Sequence, residues 1–510
     1  MHSRVCGTHD GRARGRGHWR HFLRLSASRG ALGPLAAFAG GALPTTILSS
    51  CARALLPLLS TAAALPLRAT CKEAAAAVSG HPWEDSETVI KGSVGAWRAC
   101  FPRARAANVR QSIWGSFAAG LRIVPVTDAD FVHLEGLHEL NMAECTSVTD
   151  AAFACLAGIQ RLDMSGCCQA GVTDAAFAHL RGIQELNMSY CSQAGITDAA
   201  FAHLRGIRAL SICYCDQDGI TDAAFEHLRG IQELNMSYSC LVGITGAAFA
   251  HLRGIRTLNV SRCALQGITD AAFAHLAGIH TLHMFGCRQE GITDAALSHL
   301  AGIHTLDIGG CSQLTDAAFA HLRGIHTLGM SFCTQAGITD AAFAHLAGIH
   351  TLDMRSCRQA GVTDAAFVHL RGIHTLDMSG CSQLTDAAFA HLRGIHTLSM
   401  VDCRQDGITN AAFAHLAGIH TLDMRGCSQA GVTDAAFAHL AGIHTLNMRR
   451  CRQEGITDAA LAHLAGIHTL RMSGCCQGGI TGAAFARLRG LCALDVSGCR
   501  SLVVAAAQAL

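Results

Sequence analysis

One period governs this chain. Counting from Asp128, the equivalent positions fall at 150, 174, 198, 222, 246, 270, 294, 316, 340, 364, 386, 410, 434, 458 and 482, which makes sixteen units. Most units have 24 residues; those beginning at 128, 294 and 364 have 22. The last two of these short units drop a dipeptide in a connecting turn: "CSQLTD" (311–316, 381–386) stands where 191–198 reads "CSQAGITD". The rest of the unit stays in register. A unit this small has no partner for its apolar side, so it is stable only when stacked on neighbours. The repeats therefore override the three separate domains that 510 residues would otherwise suggest.

Each unit divides into a helical and an extended half. In 196–219, "ITDAAFAHLRGIRALSICYCDQDG", Thr197 suits a helix N-cap and Asp198 the first turn. Phe201 and Leu204 share one helix face, and Gly206 stops the helix. Leu210 and Ile212 then alternate with Ala209, Ser211 and Cys213, the period of a strand with one face buried.

The spacing Leu180, Ile183, Leu186, Met188, Cys191 recurs throughout. This resembles the leucine-rich repeat in its cysteine-containing subtype, over residues 126–510. The resemblance implies an α/β solenoid, a horseshoe with a parallel sheet on the concave side and short helices on the convex side. The final "LVVAAAQAL" (502–510) echoes "ITDAAFAHL" without Thr, Asp or Phe, as expected of a degenerate end cap. Fifteen of the 25 cysteines fall at one equivalent position of the unit, beginning with Cys145, Cys167 and Cys191, and in the remaining unit Cys240 lies one residue later. A cysteine that recurs singly is a packing position. Equivalent rungs offer no preferred pairing, so reduced thiols and an intracellular chain, cytoplasmic or nuclear, are expected.

The first 125 residues differ. Residues 1–42 form an Arg/Gly-rich leader, with Arg4, Arg12, Arg14, Arg16, Arg20, Arg24 and Arg29 against the single acid Asp10. Disorder is expected there, with an organelle-targeting role as the lesser reading. Residues 43–84 carry Leu43, Pro44, Ile47, Leu48, Leu55, Leu65, Arg68, Cys71, Lys72 and Trp83. This set resembles an F-box, a small helical domain, with Thr46 and Pro66 departing from the pattern. The resemblance implies docking on the small adaptor subunit of a cullin-RING ubiquitin ligase, through Leu43, Pro44, Ile47 and Leu48. Residues 85–125 read as a junction, in which "FPRARAANVR" (101–110) begins the stack with an atypical rung.

Catalysis and metal binding find little support. Of thirty histidines, 24 recur in two regular columns, one on the helices (His179, His203, His227) and one at the strand starts (His280, His304, His326). Metal ligands converge on one ion, whereas these repeat like a ruler, so they read as a duplicated surface position. Thr and Asp recur as caps, and no P-loop pattern is present. No enzyme activity, cofactor or metal is expected. A net charge of +2 gives no nucleic-acid signature, and the absence of a long apolar run argues against a membrane span.

Binding is the informative class. The helix positions barely change between units, while those flanking the strand Leu and Met vary. Tyr190, Tyr214 and Tyr238, all the tyrosines of the chain, fall on adjacent rungs. Tyrosine favours binding hot spots. Arg425, Arg449 and Arg471, with Arg450, form a second patch suited to a carboxylate- or phosphate-bearing partner. The expected function is a substrate-recognition subunit of an SCF-type ligase that holds a target protein on the concave face. The alternative is a stand-alone repeat scaffold.

Overall fold

The computed structural model describes Leu56 and residues 59–69, 72–111, 125–263, 267–475 and most of 477–499. The leader and the candidate adaptor contacts Leu43, Pro44, Ile47 and Leu48 lie outside the described residues. The chain divides into two compact units between His81 and Pro82.

The described part of the first unit holds two helices, Thr61–Arg68 and Lys72–Gly80. Ser60 caps the first by accepting from the Ala63 N–H at 3.2 Å. Pro66 sits in its last turn and the helix ends at Arg68. Pro66 has no N–H to donate, so the helix loses a bond where it stops.

The second unit is a 17-stranded parallel sheet in which every strand pairs with the next in sequence. The first strand, Ala106–Asn108, comes from the junction segment and pairs with Glu139–Asn141. Trp83 belongs to this end of the stack and not to the helical segment before it. It is buried, meets Phe101 edge-on at 5.5 Å, and its carbonyl accepts from Arg105 at 2.7 Å.

Each strand is three residues long, and in most of them only the central Leu is buried, as in Glu185–Asn187. Behind the sheet run columns of buried Leu, Met, Cys, Phe and Ile, such as Leu186, Met188, Cys191, Phe201 and Ile207, each 2% exposed or less; residues such as Ile212 and Val260 stand in for Met, Ser239 for Cys, and Leu297 and Leu461 for Phe. Burying a phenylalanine is worth roughly 2–3 kcal/mol, so one column of one residue type supplies much of the stacking energy. Gly206 stands at φ +85°, which lets the chain leave the helix and enter the next strand.

The thiol column is reduced among the described residues. Each thiol donates to the carbonyl of an earlier rung's methionine or its equivalent; Cys215 Sγ meets the Met188 oxygen at 3.1 Å. Burial pushes the Cys215, Cys263 and Cys287 thiols up to about 12, so they remain protonated donors.

A second column ties rung to rung. Each Asp at a helix start accepts from the N–H and the hydroxyl of the next rung's Thr. Asp198 takes both from Thr221 at 2.7 Å. Thirteen such clamps exist among the described residues. Every one of the thirteen clamped threonines also caps its own helix, as Thr221 accepts from Ala223 at 3.3 Å. The carboxylate takes the hydroxyl proton, which turns the oxygen lone pairs toward the helix. Thr269, preceded by Gly246, and Thr433, preceded by Asn410, make no such cap.

Candidate binding surface

The exposed sheet face is built from the residues on either side of each strand Leu and the residue after each Met. On rungs 187–261 the residue after each strand Leu and the residue two further on are neutral, while Glu185 and Glu233 stand before it: Asn187 Oδ1 accepts from the Ser189 hydroxyl at 2.7 Å, and Asn235 repeats the pattern with Ser237 at 2.8 Å. The three tyrosines lie one residue beyond this face, in the turn after the strand. Tyr190, Tyr214 and Tyr238 have φ of 60°, 56° and 61°. Side chains rarely adopt that left-handed region, and a bulky one there costs about 1–2 kcal/mol. Glycine fills the same column at 166, 286 and 310.

The turn brings the tyrosines together. Tyr190 stacks on Tyr214, and Tyr214 on Tyr238, each at 4.6 Å between centroids and within 9° of parallel. Tyr190 is 55% exposed and Tyr214 38%. Burial within the stack, then the neighbouring tyrosines, pushes the Tyr214 hydroxyl up to about 12, so it acts as a neutral donor and acceptor.

The strip continues past the tyrosines. The Arg262 guanidinium lies 5.5 Å from the Tyr238 centroid and 5.1 Å from that of Phe285. Phe285 leans over Gly309, where a Cβ would meet its ring at 2.6 Å, and reaches Phe332 edge-on at 6.2 Å. Arg262 has no carboxylate partner among the described residues. Sequence reasoning missed Arg262 and Phe332. Both stand immediately before the rung cysteine, as the tyrosines Tyr190 and Tyr214 do, so reading that column alone would have found them.

The candidate arginines are held differently. Arg425 binds Asp423 at 2.9 Å, and Arg449 reaches across to Asp495. That guanidinium, then Ser497, holds the Asp495 carboxyl at about 2. Arg471 is exposed and has no carboxylate partner among the described residues. Arg450 occupies the left-handed turn at φ 57°. Between the two patches, Asp307 and Asp377 are buried enough to raise their pKa above the usual carboxylate range.

The strand-start histidines also stack. Nine rings, His280, His304, His326, His350, His374, His396, His420, His444 and His468, run at 4.5 Å between centroids. Among the described residues, no group of three or more His, Cys, Asp or Glu is placed to hold a metal. Nor is any helix there long and apolar enough to cross a membrane.

One helix-to-strand unit per rung, a continuous parallel sheet and an exposed variable face define a leucine-rich-repeat solenoid fold. The family model described as "Leucine rich repeat" matches residues 205–265. No curated protein matches the chain by sequence. Among solved structures, a chain of the Drosophila Toll–Spatzle complex is similar at TM-score 0.51 and 14% identity, over 79% of this chain and 55% of that one. A chain of the TLR13–ssRNA13 complex is similar at TM-score 0.51 and 17% identity, over 73% and 61%. A Leptospira interrogans LRR protein is similar at TM-score 0.52 and 13% identity, over 75% and 93%. The chain thus spans just over half the length of the first two. At these identities the likeness is one of fold.

Proposed function

We propose that the protein is a non-catalytic leucine-rich-repeat scaffold that captures a partner protein on its sheet face and the adjoining strip. The observation that carries this reading is the contiguous run Tyr190, Tyr214, Tyr238, Arg262, Phe285 and Phe332, in which Tyr238 and Phe285 are half-buried and the other four exposed. Aromatic rings with one arginine among them match the composition of binding hot spots. Arg471 offers a second contact for an acidic partner, with Arg425 and Arg449 behind it in ion pairs. Neighbours of this fold have been solved in complexes with Spatzle and with ssRNA13, which supports a binding role. The test is capture from cell extract by the full chain and by the triple variant Tyr190→Gly, Tyr214→Gly, Tyr238→Gly. Proteins held by wild type and lost by the variant, at unchanged melting, support the reading. Identical capture by both would sink it.

The finer reading makes the scaffold the substrate receptor of an SCF-type ligase. It rests on the residue pattern at 43–84 and on the helix Thr61–Arg68, which carries Leu65 and Arg68 of that pattern. Leu43, Pro44, Ile47 and Leu48 would contact the small adaptor subunit, and transfer chemistry would fall to other subunits. A pull-down with purified adaptor decides it. Wild type should bind and Leu43→Ala/Pro44→Ala should not; an adaptor that ignores wild type removes the ligase role and leaves the scaffold.

A further inference from the structure

The histidine ladder has no part in the surface above, and its geometry is the most regular in the molecule. Each ladder carbonyl before His468 accepts from the next rung's His and Thr N–H, at 3.1 and 3.0 Å for His350 toward His374 and Thr375, and His468 accepts from Cys492 and Ala493. Each ring places Nδ1 3.1–3.2 Å from the hydroxyl of its own following threonine. A hydroxyl can donate to a neutral Nδ1 or accept from a protonated one, so the ring keeps its orientation in either state. Nδ1 being engaged, Nε2 is the nitrogen left for an outside partner. Seven of the nine residues are exposed, and His350 and His374 are half-buried.

The surroundings are basic. Along the same edge the helix ends carry histidines such as His345, His391 and His415. Arg371 and Arg393 lie within 3.5 Å of His391 and His415 Nδ1, and a shallow hollow lined by Arg371, His391 and Arg393 opens there. The strand contributes only the threonine hydroxyls. The carboxylates of these rungs are elsewhere: at the helix starts, clamped to threonine, on the sheet face, or in the turns that follow the strands, as Glu290, Asp402, Asp406 and Glu454 are. None pairs with a ladder histidine among the described residues.

We propose that the row from His280 to His468 is an acid-dependent binding edge for a linear phosphate polyanion, and that inorganic polyphosphate is the form that fits. Eight intervals of 4.5 Å, each ring turned 11–14° from the next, make a regular row of nine identical groups. Single-stranded nucleic acid is held by open aromatic faces on which bases stack. Here the ring faces cover one another and leave edges, so the partner is a chain of anions without bases. Histidine is the side chain that gains charge as the medium turns mildly acidic, which is what makes a row of nine a pH-sensitive partner for anions. Neighbours 4.5 Å apart lie inside the Debye length of about 8 Å, so they resist joint protonation. Desolvation in the stack, then the imidazoles of His396 and His444, already lower the His420 pKa. A polyanion along the row relieves that repulsion, and its binding therefore takes up protons.

The test uses the full chain and inorganic polyphosphate, by calorimetry in two buffers of different ionisation heat at pH 5.5 and 7.5. The expected result is binding with proton uptake at pH 5.5 and none at pH 7.5. The variant His350→Gln/His374→Gln/His396→Gln uses a residue that the fold already accommodates at Gln160, Gln184 and Gln232. It should lower affinity and make the slope of log K against log salt shallower by about 2, at about 0.7 per lost contact. The helix-end variant His345→Gln/His369→Gln/His391→Gln should leave most of the binding. Binding independent of pH, equal loss in both variants, or tighter binding of single-stranded RNA of matched charge would each overturn the proposal. Circular dichroism melts of both variants confirm that loss of binding is not loss of fold.

Discussion

Asn410→Asp should stabilise the stack locally, and the structure says by how much. Asn410 occupies the clamp position that Asp holds in the neighbouring rungs. Its Oδ1 accepts from Thr433 N at 2.9 Å, and its Nδ2 donates to Thr433 Oγ1 at 2.9 Å. The amide thus supplies a proton where a carboxylate would take one. Thr433 Oγ1 then makes no bond to its helix, whereas Thr457, under Asp434, caps Ala459 at 3.1 Å. Aspartate would restore a cap worth about 1 kcal/mol. It would also replace neutral hydrogen bonds by charge-assisted ones, which are roughly twice as strong. Discounting for partial exposure, the sum is about 1–2 kcal/mol, or a factor of about 5–30 in local opening. A solenoid opens by neighbouring rungs and not as one unit, so a single melting temperature is the wrong readout. Native-state hydrogen exchange over residues 430–440 is the right one, with protection increasing in Asn410→Asp. Asp386→Asn is the mirror experiment and should lose protection around Thr409 and Ala411. If Asn410→Asp exchanges as fast as wild type, the coupling between clamp and cap is wrong.

Three further outcomes follow from the same geometry. Brief maleimide treatment of the native protein at pH 8 should label the exposed Cys168, Cys240 and Cys492 well before the buried column, whose thiols burial keeps protonated; peptide mass spectrometry reads the order. Asp307→Asn should be neutral or stabilising at pH 7. Burial raises the Asp307 pKa, so the folded state binds a proton more readily than the unfolded state and wild type gains stability as pH falls through the raised value. The advantage of the variant should shrink at pH 4 in urea titrations, and an advantage that grows with acid would refute it. Tyr214→Gly should change stability by less than about 1 kcal/mol, because relief of the left-handed strain offsets lost stacking and added backbone entropy.

Much of the fold was legible because the repeat compares the chain with itself. The Leu, Met, Cys and Phe columns follow from spacing alone, and all are buried. The tyrosines were legible as neighbours but not as residents of a turn. "IQELNMSY" reads as one strand, yet the strand ends at Asn187 and Tyr190 has turned to φ 60°. Backbone handedness is invisible when a tyrosine stands where other rungs have glycine. The clamp was hidden for a different reason. Thr and Asp adjacent in sequence suggest a cap within one helix, whereas the hydrogen bond from Thr221 goes to Asp198, 23 residues earlier. The histidines read as a ruler, and that was correct about spacing. Their stacking depends on a rung separation that only the paired strands supply.

The short units bear on how such a chain changes over time. Where a unit loses two residues, Thr305 still faces Thr327 and Thr375 still faces Thr397 across the sheet. The clamps from Asp294 to Thr315 and from Asp364 to Thr385 are kept as well. The stack therefore counts rungs and not residues. A copying error that adds or removes one whole unit would lengthen or shorten the recognition surface by one step and heal its own junction. The number of rungs is then a dimension that mutation can adjust in whole steps, with the chemistry at each joint left as it was.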